Sequence, residues 1–270
     1  MQWSTKKVLI TVKAYPEYSK KHHEVVCVAG ITENRQLIRL FPVPFQIFRG
    51  KIPVQKYTWI SVDCREAEKE KIYRKESHRI RDNSIKIIDD SLISKHGHAT
   101  PWGERKQIIL PLVSPSLEDL MKSQDIDGTS LGIIKVHELI DFYATKPLDE
   151  MERNRGALVQ KTLFGNNQSL LERMDHIFRY KFKCCEACSG HDISIEDWEV
   201  FQLFRSMSDK YDDPKLVWEK IKDKYYTQMI KKDLYFYMGT HSQWPSWMII
   251  GAFYPPKEIQ RKLNGFGDNE

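Results

Sequence analysis

The chain has 270 residues, which is enough for one large domain or two ordinary ones. Hydrophobic residues make up 41% and charged residues 29%, a balance that supports a packed core and excludes a wholly disordered chain. The net charge of +5 permits contact with phosphates without the strong bias of a histone-like tail. The sequence has no run of about 18 apolar residues and no signal-peptide pattern, so we expect a cytoplasmic protein without a membrane segment.

Short strand patterns dominate the first third of the chain. They are rich in β-branched and aromatic residues, are separated by turn residues, and cover residues 6–13, 24–31, 36–41, 57–63 and 84–88. Many short strands in succession favour a small closed barrel of the OB type over a βαβ sheet. We therefore predict an OB-like β-barrel at the N-terminus.

Helices and strands mix in the rest of the chain. Ser116 can cap a short helix over 116–122, a strand follows at 130–136, and 137–145 is predicted as a second short helix that stops before Pro147. A charged run after Pro147 suggests a boundary. We predict two domains, a β-barrel-like domain over 1–148 and an α+β domain over 149–270.

The second predicted domain combines strand and helix patterns. Alternation at 180–184 predicts a strand with one buried face. Ser194 resembles a helix start, and Pro214 fits the first turn of another helix that reaches about residue 230. Two further strands are expected at 233–239 and 247–254. The predicted fold class is thus α+β, with the OB-like barrel followed by a zinc-containing α+β half.

Three of the five cysteines lie within five residues, which suits a metal site in a reducing compartment better than a disulfide framework. Cys185 and Cys188 have the C-x2-C spacing of a zinc knuckle, and His191 follows within reach. Strand alternation allows only one of the adjacent Cys184 and Cys185 to bind the ion. The spacing favours Cys185 and the alternation favours Cys184, so the sequence leaves the choice open.

Two thiolates and one imidazole leave a fourth coordination position. His241, in a Gly-Thr-His-Ser turn, is the first candidate for it, and His176 is the second. A protein ligand there makes the site closed and structural, whereas a water molecule makes it catalytic. We predict a structural Zn²⁺ site, with a buried thiol cluster that binds no metal as the alternative.

Acidic residues follow the cysteine turn. Asp197 and Glu199, with Lys232 further along the chain, offer the carboxylates and the lysine that a magnesium-dependent nuclease needs. Asp197 also falls in the first turn of a predicted helix, where the helix dipole alone accounts for a carboxylate. A metal-dependent nuclease is therefore the alternative function.

Cationic and aromatic residues are interleaved in the barrel half. OB barrels bind single strands by stacking bases on aromatic rings while cations follow the backbone. The predicted contacts to DNA or RNA are Arg39, Arg49, Lys51, Arg74, Arg79, Arg81 and Tyr57. The charges over 65–81 are nearly balanced, which is also typical of a solvated face.

Residues 27–31 (Cys-Val-Ala-Gly-Ile) and 38–45 (Ile-Arg-Leu-Phe-Pro-Val-Pro-Phe) resemble OB-like barrel domains of uncharacterised prokaryotic proteins. Leu37 stands where those domains often carry a tryptophan. Several such proteins travel with mobile elements and anti-phage defence genes. The resemblance implies a barrel fold and a role near nucleic acid, and it implies no reaction.

Three hypotheses follow. The first is a non-catalytic protein that binds or senses nucleic acid and contains a structural zinc site. The second is the metal-dependent nuclease centred on Asp197 and Glu199. The third is an interaction subunit of a larger defence complex, which docks on other subunits through the aromatic-rich segment 235–254.

Overall fold

The structure is a computed structural model, and it describes residues 2–14, 17–19, 23–48, 53–68, 73–145, 176–241 and 244–257. The predicted boundary at residues 148 and 149 lies outside these ranges and stays a prediction. In the described part of the chain, no helix is long and apolar enough to span a membrane.

The N-terminal part is a strand-rich unit. Its strands are β1 (Ser4–Lys13), β2 (Glu17–Ser19), β3 (His23–Thr32), β4 (Leu37–Pro44), β5 (Trp59–Glu66), β6 (Ser77–Ile80) and β7 (Lys86–Asp89). Neighbours follow the order β1-β3-β4-β6-β5, and β5 pairs back onto β1, so these five strands form a closed barrel. Only the β4–β6 pair is parallel among these barrel pairings. The predicted N-terminal barrel is therefore confirmed.

Alternating apolar side chains fill the barrel. In β5 the residues Ile60, Val62 and Cys64 are buried while their neighbours are partly exposed, because successive strand residues point to opposite faces. Helix α1 (Trp102–Ile109) follows the barrel, and the sequence patterns did not predict this helix. It leads through a 3₁₀ turn over Leu110–Leu112 into the C-terminal half.

The C-terminal half mixes helices and strands. Its elements are β8 (Val113–Ser114), α2 (Leu117–Asp127), β9 (Leu131–Lys135), β10 (Glu138–Thr145), β11 (Ile177–Lys183), β12 (His191–Ser194), α3 (Trp198–Lys210), α4 (Pro214–Lys222), β13 (Tyr235–Thr240) and β14 (Trp247–Phe253). Two sheets form, one in the order β10-β11-β12 and one in the order β14-β13-β9-β8. The predicted α+β class is confirmed.

Two local predictions need correction. Residues 138–145 form β10 and not a helix, because they pair with β11 and bury Phe142 against Phe178 and Tyr180. The helix expected near Ser194 begins at Trp198, since Ser194 still belongs to β12. Its N-cap is therefore Asp197.

The outer face of the barrel packs on the C-terminal sheet. Leu9 and Ile31 of the barrel share one buried cluster with Ile133, Tyr237 and Phe253. A second contact joins the halves, because the Trp198 ring packs edge-on against Phe45 at a centroid distance of 4.8 Å. The start of α3 is thus held against the barrel.

Candidate functional site

The cysteine turn and the first turn of α2 meet in space. Cys184 follows β11, Cys188 lies in the turn, and His191 begins β12. Gly190 has φ +112°, a conformation that favours glycine and lets the chain reverse within a few residues. Glu118 lies in the first turn of α2, where the Ser116 hydroxyl caps the helix by accepting from the Asp119 amide at 3.1 Å.

Four side chains converge at this point. The donor atoms of Glu118, Cys184, Cys188 and His191 all lie within 4.8 Å of one another. His191 Nε2 lies 3.4 Å from Cys184 Sγ and 3.2 Å from Cys188 Sγ. The carboxylate reaches both partners, with Glu118 Oε1 at 3.3 Å from His191 Nε2 and Oε2 at 3.4 Å from Cys184 Sγ. These four residues can hold a metal ion.

The spacing suits tetrahedral coordination. Sulfur ligands lie about 2.3 Å from zinc and nitrogen ligands about 2.0–2.1 Å, so neighbouring ligand atoms of a tetrahedral site are roughly 3.4–3.8 Å apart. Four of the separations are 3.2–3.4 Å, at or just below that range, and all pairs lie within 4.8 Å. Small side-chain adjustments would therefore let the four residues coordinate one ion.

The pKa values of Cys184 and Glu118 are shifted in opposite directions. Burial, together with the nearby Glu118 carboxylate, raises the pKa of the Cys184 thiol to about 12. For Glu118, burial acts to raise the pKa, but hydrogen bonds from its own amide and from Cys184 lower it overall. A bound cation would stabilise the thiolate forms, since the thiolate is the metal ligand.

The cluster contains three of the five predicted metal ligands. Cys184 is a member and the half-buried Cys185 is not, because Cys184 lies on the buried side of the strand with Tyr180 and Phe182. Glu118 stands where a fourth ligand was expected, 66 residues from Cys184 along the chain. Nothing in the local pattern around Glu118 signals this role, since a carboxylate in a first helical turn is ordinary.

The histidines considered for the fourth position lie elsewhere. His241 follows β13, and its ring contacts the Trp244 ring at 4.8 Å. Burial and the nearby Arg74 lower the pKa of His241. His176 packs between Phe178 and Phe204. Neither histidine belongs to the four-residue cluster among the described residues.

The predicted acidic residues form a different arrangement. Asp197 is buried and caps α3, with Oδ1 accepting from the Glu199 amide at 3.0 Å. Lys56 Nζ of the barrel half lies 3.2 Å from Glu199 Oε2 and 3.9 Å from Asp197 Oδ2. Lys232 lines a separate depression beside Lys135 and His137. The lysine of this site is therefore Lys56 instead of the predicted Lys232.

Lys56 forms ion pairs with both carboxylates. Burial raises the pKa of Asp197 to about 7, although Lys56 opposes the shift. A magnesium-dependent nuclease needs its carboxylates for a divalent cation. Here the Lys56 ammonium lies beside both of them, which is a partly buried ion pair and is also the grouping of carboxylates and lysine that the nuclease hypothesis requires.

The predicted nucleic-acid contacts separate into buried and exposed groups. Arg39 is only 3% exposed, and its guanidinium donates to Ser130 O at 2.8 Å and to Ser130 Oγ at 2.6 Å. Tyr57 is also buried, with the Arg105 guanidinium 3.8 Å from its ring centroid. These two residues are corrected to internal positions, because their polar and aromatic groups already have protein partners.

The other predicted contacts lie at the surface or outside the described residues. Arg74 and Arg79 line one shallow surface pocket with the exposed Tyr73. The Arg81 guanidinium lies 4.8 Å from the ring centroid of Trp3. Arg49 and Lys51 fall outside the described ranges.

The segment 235–254 is mostly internal. Tyr235, Phe236, Tyr237 and Met238 of β13 are all buried, as is Phe253 of β14. Within the described part of this segment, Trp244 is the large side chain that is most exposed, at 57%. The aromatic residues therefore build the core and do not form the docking surface that the third hypothesis required.

Comparison with known families matches both halves of the chain. Residues 113–267 match the family described as Domain of unknown function (DUF8757). The chain belongs to the DUF8757 family. Residues 4–111, which carry the barrel and α1, match Domain of unknown function (DUF8758). In this DUF8757 protein the four-residue cluster and α3 lie within the DUF8757 match, whereas Lys56 lies in the other.

Comparison with individual proteins adds little for this DUF8757 protein. No curated protein matches the chain. Among solved structures, one described as a murine DNA binding protein bound with double-stranded DNA aligns with 97% of this chain and 99% of that chain. The two chains share 10% sequence identity and the TM-score is 0.31, so this similarity supports no conclusion about fold or function.

Proposed function

We propose that this protein is a non-catalytic protein that binds single-stranded nucleic acid on one face of its barrel. The observation that carries the proposal is the environment of Trp3. Its ring is 37% exposed, and the guanidinium groups of Arg65 and Arg81 lie 5.5 Å and 4.8 Å from its centroid. An exposed ring beside two cations supplies a base-stacking surface next to phosphate contacts.

Strand register extends this surface along the barrel. Arg65 of β5 is paired with Arg79 of β6, so these two side chains lie on one side of the sheet. Arg81 follows the end of β6, and its guanidinium and that of Arg65 both lie at the Trp3 ring. Tyr73, which is 48% exposed, and Arg74 precede β6. We call this set the barrel face; its members are Trp3, Arg65, Tyr73, Arg74, Arg79 and Arg81.

Existing ion pairs on the barrel face are weak competitors for phosphate. Arg65 pairs with Glu68 at 3.5 Å and Arg81 with Asp63 at 3.6 Å; Glu68 and Arg81 are mostly exposed, and Arg65 and Asp63 are about one third exposed. Exposed pairs of this kind contribute roughly 0–1 kcal/mol. A polyanion can therefore replace them at small cost.

A binding assay tests the barrel face directly. Fluorescence anisotropy with labelled single-stranded DNA and RNA of equal length should show binding that weakens as salt rises, because phosphate contacts release counterions. Trp3→Ala should remove a stacking contact worth about 1–3 kcal/mol, which is roughly 5- to 150-fold in affinity. The matched pair Arg81→Gln and Lys135→Gln compares a barrel-face cation with an exposed cation outside it. Equal affinity of wild type and Trp3→Ala, or no binding at low salt, would refute the proposal.

We further propose that the four-residue cluster binds Zn²⁺ in a structural role. Two thiolates, one imidazole and one carboxylate make a donor set that zinc accepts, and four protein ligands leave no open position for catalysis. The ion would tie the first turn of α2 to the turn between β11 and β12. Elemental analysis of the purified protein should find one zinc per chain, and a metal-free folded protein would contradict this assignment.

The two alternative functions, a nuclease and an interaction subunit, can each be tested. Magnesium-dependent cleavage lost in Asp197→Ala, with the fold intact, would support the nuclease. A stable protein partner without retained nucleic acid would support the interaction subunit. The association with mobile elements and anti-phage defence stays a prediction from the sequence resemblance.

A further inference from the structure

A cleft of about 390 Å³ lies between the barrel half and the C-terminal half, away from the four-residue cluster. Barrel-half residues, α1 and the start of α3 all contribute to its walls. Ligand pockets for small molecules commonly measure about 300–1,000 Å³, and they often lie where two domains meet. The cleft therefore has the size and the position of a small-ligand site.

Cations outnumber carboxylates in this cleft. Lys13, Lys56 and Arg105 face two carboxylates, those of Asp197 and Glu199. Lys56 Nζ is also anchored by a hydrogen bond to Ala252 O at 3.1 Å. The described residues that line the cleft thus carry three cations and two carboxylates, a net positive charge that favours an anionic ligand.

Arg105 is built into the wall in a fixed orientation. Its Nε and Nη2 atoms both donate to Leu92 O, and Nη2 also donates to Ser94 Oγ at 3.1 Å. In the described part of the chain, its Nη1 atom makes no hydrogen bond. Arg105 is only 2% exposed and its guanidinium lies 3.8 Å from the Tyr57 ring centroid, but unlike Arg39 it lines the cleft, where its unused Nη1 can donate to an anionic oxygen.

Aromatic side chains supply flat apolar surface beside these charges. Trp102 is half-buried, and its ring lies 6.2 Å from that of Tyr254, which also lines the cleft. The Arg105 guanidinium lies 5.1 Å from the Trp102 ring centroid. A planar ligand ring can therefore contact Trp102 while an attached anion reaches Arg105. Glu199, 44% exposed at its side chain, can accept a hydrogen bond from a ring N–H or amino group.

We propose that this cleft binds one nucleotide, with the base against Trp102 and Tyr254, the phosphate at Lys13 and Arg105, and a base N–H group at Glu199. The combination of planar, anionic and N–H donor groups in one small molecule matches the three features of the cleft. The free nucleoside monophosphate and the 5′-phosphorylated end of a strand share this chemistry. The inference is independent of the barrel face, because it uses none of the same residues.

Isothermal titration calorimetry of the full chain tests the proposal. The probes are the four ribonucleoside monophosphates, inorganic phosphate, and one short oligonucleotide with either a 5′-phosphate or a 5′-hydroxyl. We expect one site per chain, with Lys13→Gln and Trp102→Leu each weakening affinity by about tenfold or more, the loss of one charged hydrogen bond or one stacking contact. Lys135→Gln, an exposed lysine outside the cleft, should leave it unchanged.

The outcomes separate the two sources of the ligand and the two sites. Binding of monophosphates supports the free nucleotide, whereas binding of the 5′-phosphorylated oligonucleotide alone, with the same dependence on Lys13, supports the strand end. Trp3→Ala should leave this binding intact even if it abolishes strand binding at the barrel face. Circular dichroism checks that Trp102→Leu is folded, and Lys13→Gln gives a second variant if it is not. No binding of any nucleotide, equal binding of inorganic phosphate, or unchanged affinity in folded variants would overturn the proposal.

Discussion

Arg39 of the barrel donates two hydrogen bonds to Ser130 of the C-terminal half, at 2.6 Å to the hydroxyl oxygen and 2.8 Å to the carbonyl oxygen. Glu76 completes the contact by accepting from the Ser130 amide at 2.9 Å and from its hydroxyl at 2.6 Å. Arg39, Glu76 and Ser130 are all buried. This network ties together the two parts of the chain that match different families.

Arg39→Met should destabilise the protein strongly. The change removes the cation and leaves the buried hydroxyl and carbonyl oxygens of Ser130 without their donor. Glu76 keeps its hydrogen bonds from Ser130 but loses the nearby positive charge. Leaving a buried acceptor unsatisfied costs about 1–3 kcal/mol, and more where a charged group is involved. Urea unfolding followed by circular dichroism measures the loss. Lys135→Met is the matched control, because its exposed pair with Asp233 should contribute less than about 1 kcal/mol. Similar stability of the two variants would show that the network is dispensable.

Cys188→Ser and the neighbouring Cys185→Ser should behave differently. Cys188 belongs to the four-residue cluster and Cys185 does not, so the first variant should lose the bound ion and the second should keep it. Binding to the folded state adds about 2.7 kcal/mol of stability when free metal exceeds the Kd a hundredfold. We therefore expect Cys188→Ser to unfold at a clearly lower temperature. A strong chelator should destabilise wild type and Cys185→Ser alike and leave Cys188→Ser unchanged; equal metal content in both variants would contradict the assignment.

Asp197→Asn should change how stability depends on pH. The pKa of Asp197 is raised by burial from 3.8 to about 7, so the folded state holds the proton more tightly than the unfolded state. The raised pKa of Asp197 therefore stabilises the folded state fully below about pH 4, and this stabilisation is lost as the pH rises through about 7. Lys56 stays charged across this window, since Glu199 and Asp197 outweigh burial and raise its pKa.

Asparagine keeps an oxygen that can cap α3 but does not titrate. The unfolding free energy of Asp197→Asn relative to wild type should therefore increase from pH 4 to pH 8, by on the order of 1–3 kcal/mol. Denaturant titrations at several pH values give this difference. The control Glu33→Gln, at an exposed pair with Lys7, should show little change. A flat difference for Asp197→Asn would mean that the carboxyl is ionised throughout.

Gly128→Ala and Gly103→Ala should have opposite signs. Gly128 ends α2 with φ +76°, and an added Cβ would collide with the Tyr73 ring. Gly103 lies in α1, has no atom near its Cβ position, and should gain helix stability of up to about 1 kcal/mol as alanine. We expect Gly128→Ala to lower the unfolding free energy by about 1 kcal/mol or more. Thermal unfolding of both variants decides the point, and stabilisation by Gly128→Ala would refute the strain argument.

Much of the local structure could be predicted from short-range patterns. The alternation in β1, β3, β4 and β5 and the turn residues between them indicated a small barrel, and Ser116 does cap α2. Residues 138–145 were harder, because their strand conformation depends on pairing with β11, more than thirty residues later. Lys56 at Asp197 and Glu199 could not be predicted either, since 143 residues separate it from Glu199.

The sequence by itself determined the local chemistry of this protein: a barrel-forming strand pattern, and a turn that gathers Cys184, Cys188 and His191 within eight residues. Backbone periodicity and short spacings encode such features directly, because they depend on neighbours in the chain. Only the tertiary structure decided that Glu118 completes the cluster, that Arg39 is buried against Ser130, and that Lys56 faces Asp197. Those partners lie 66, 91 and 141 residues apart, and only the packing of the two halves brings them together.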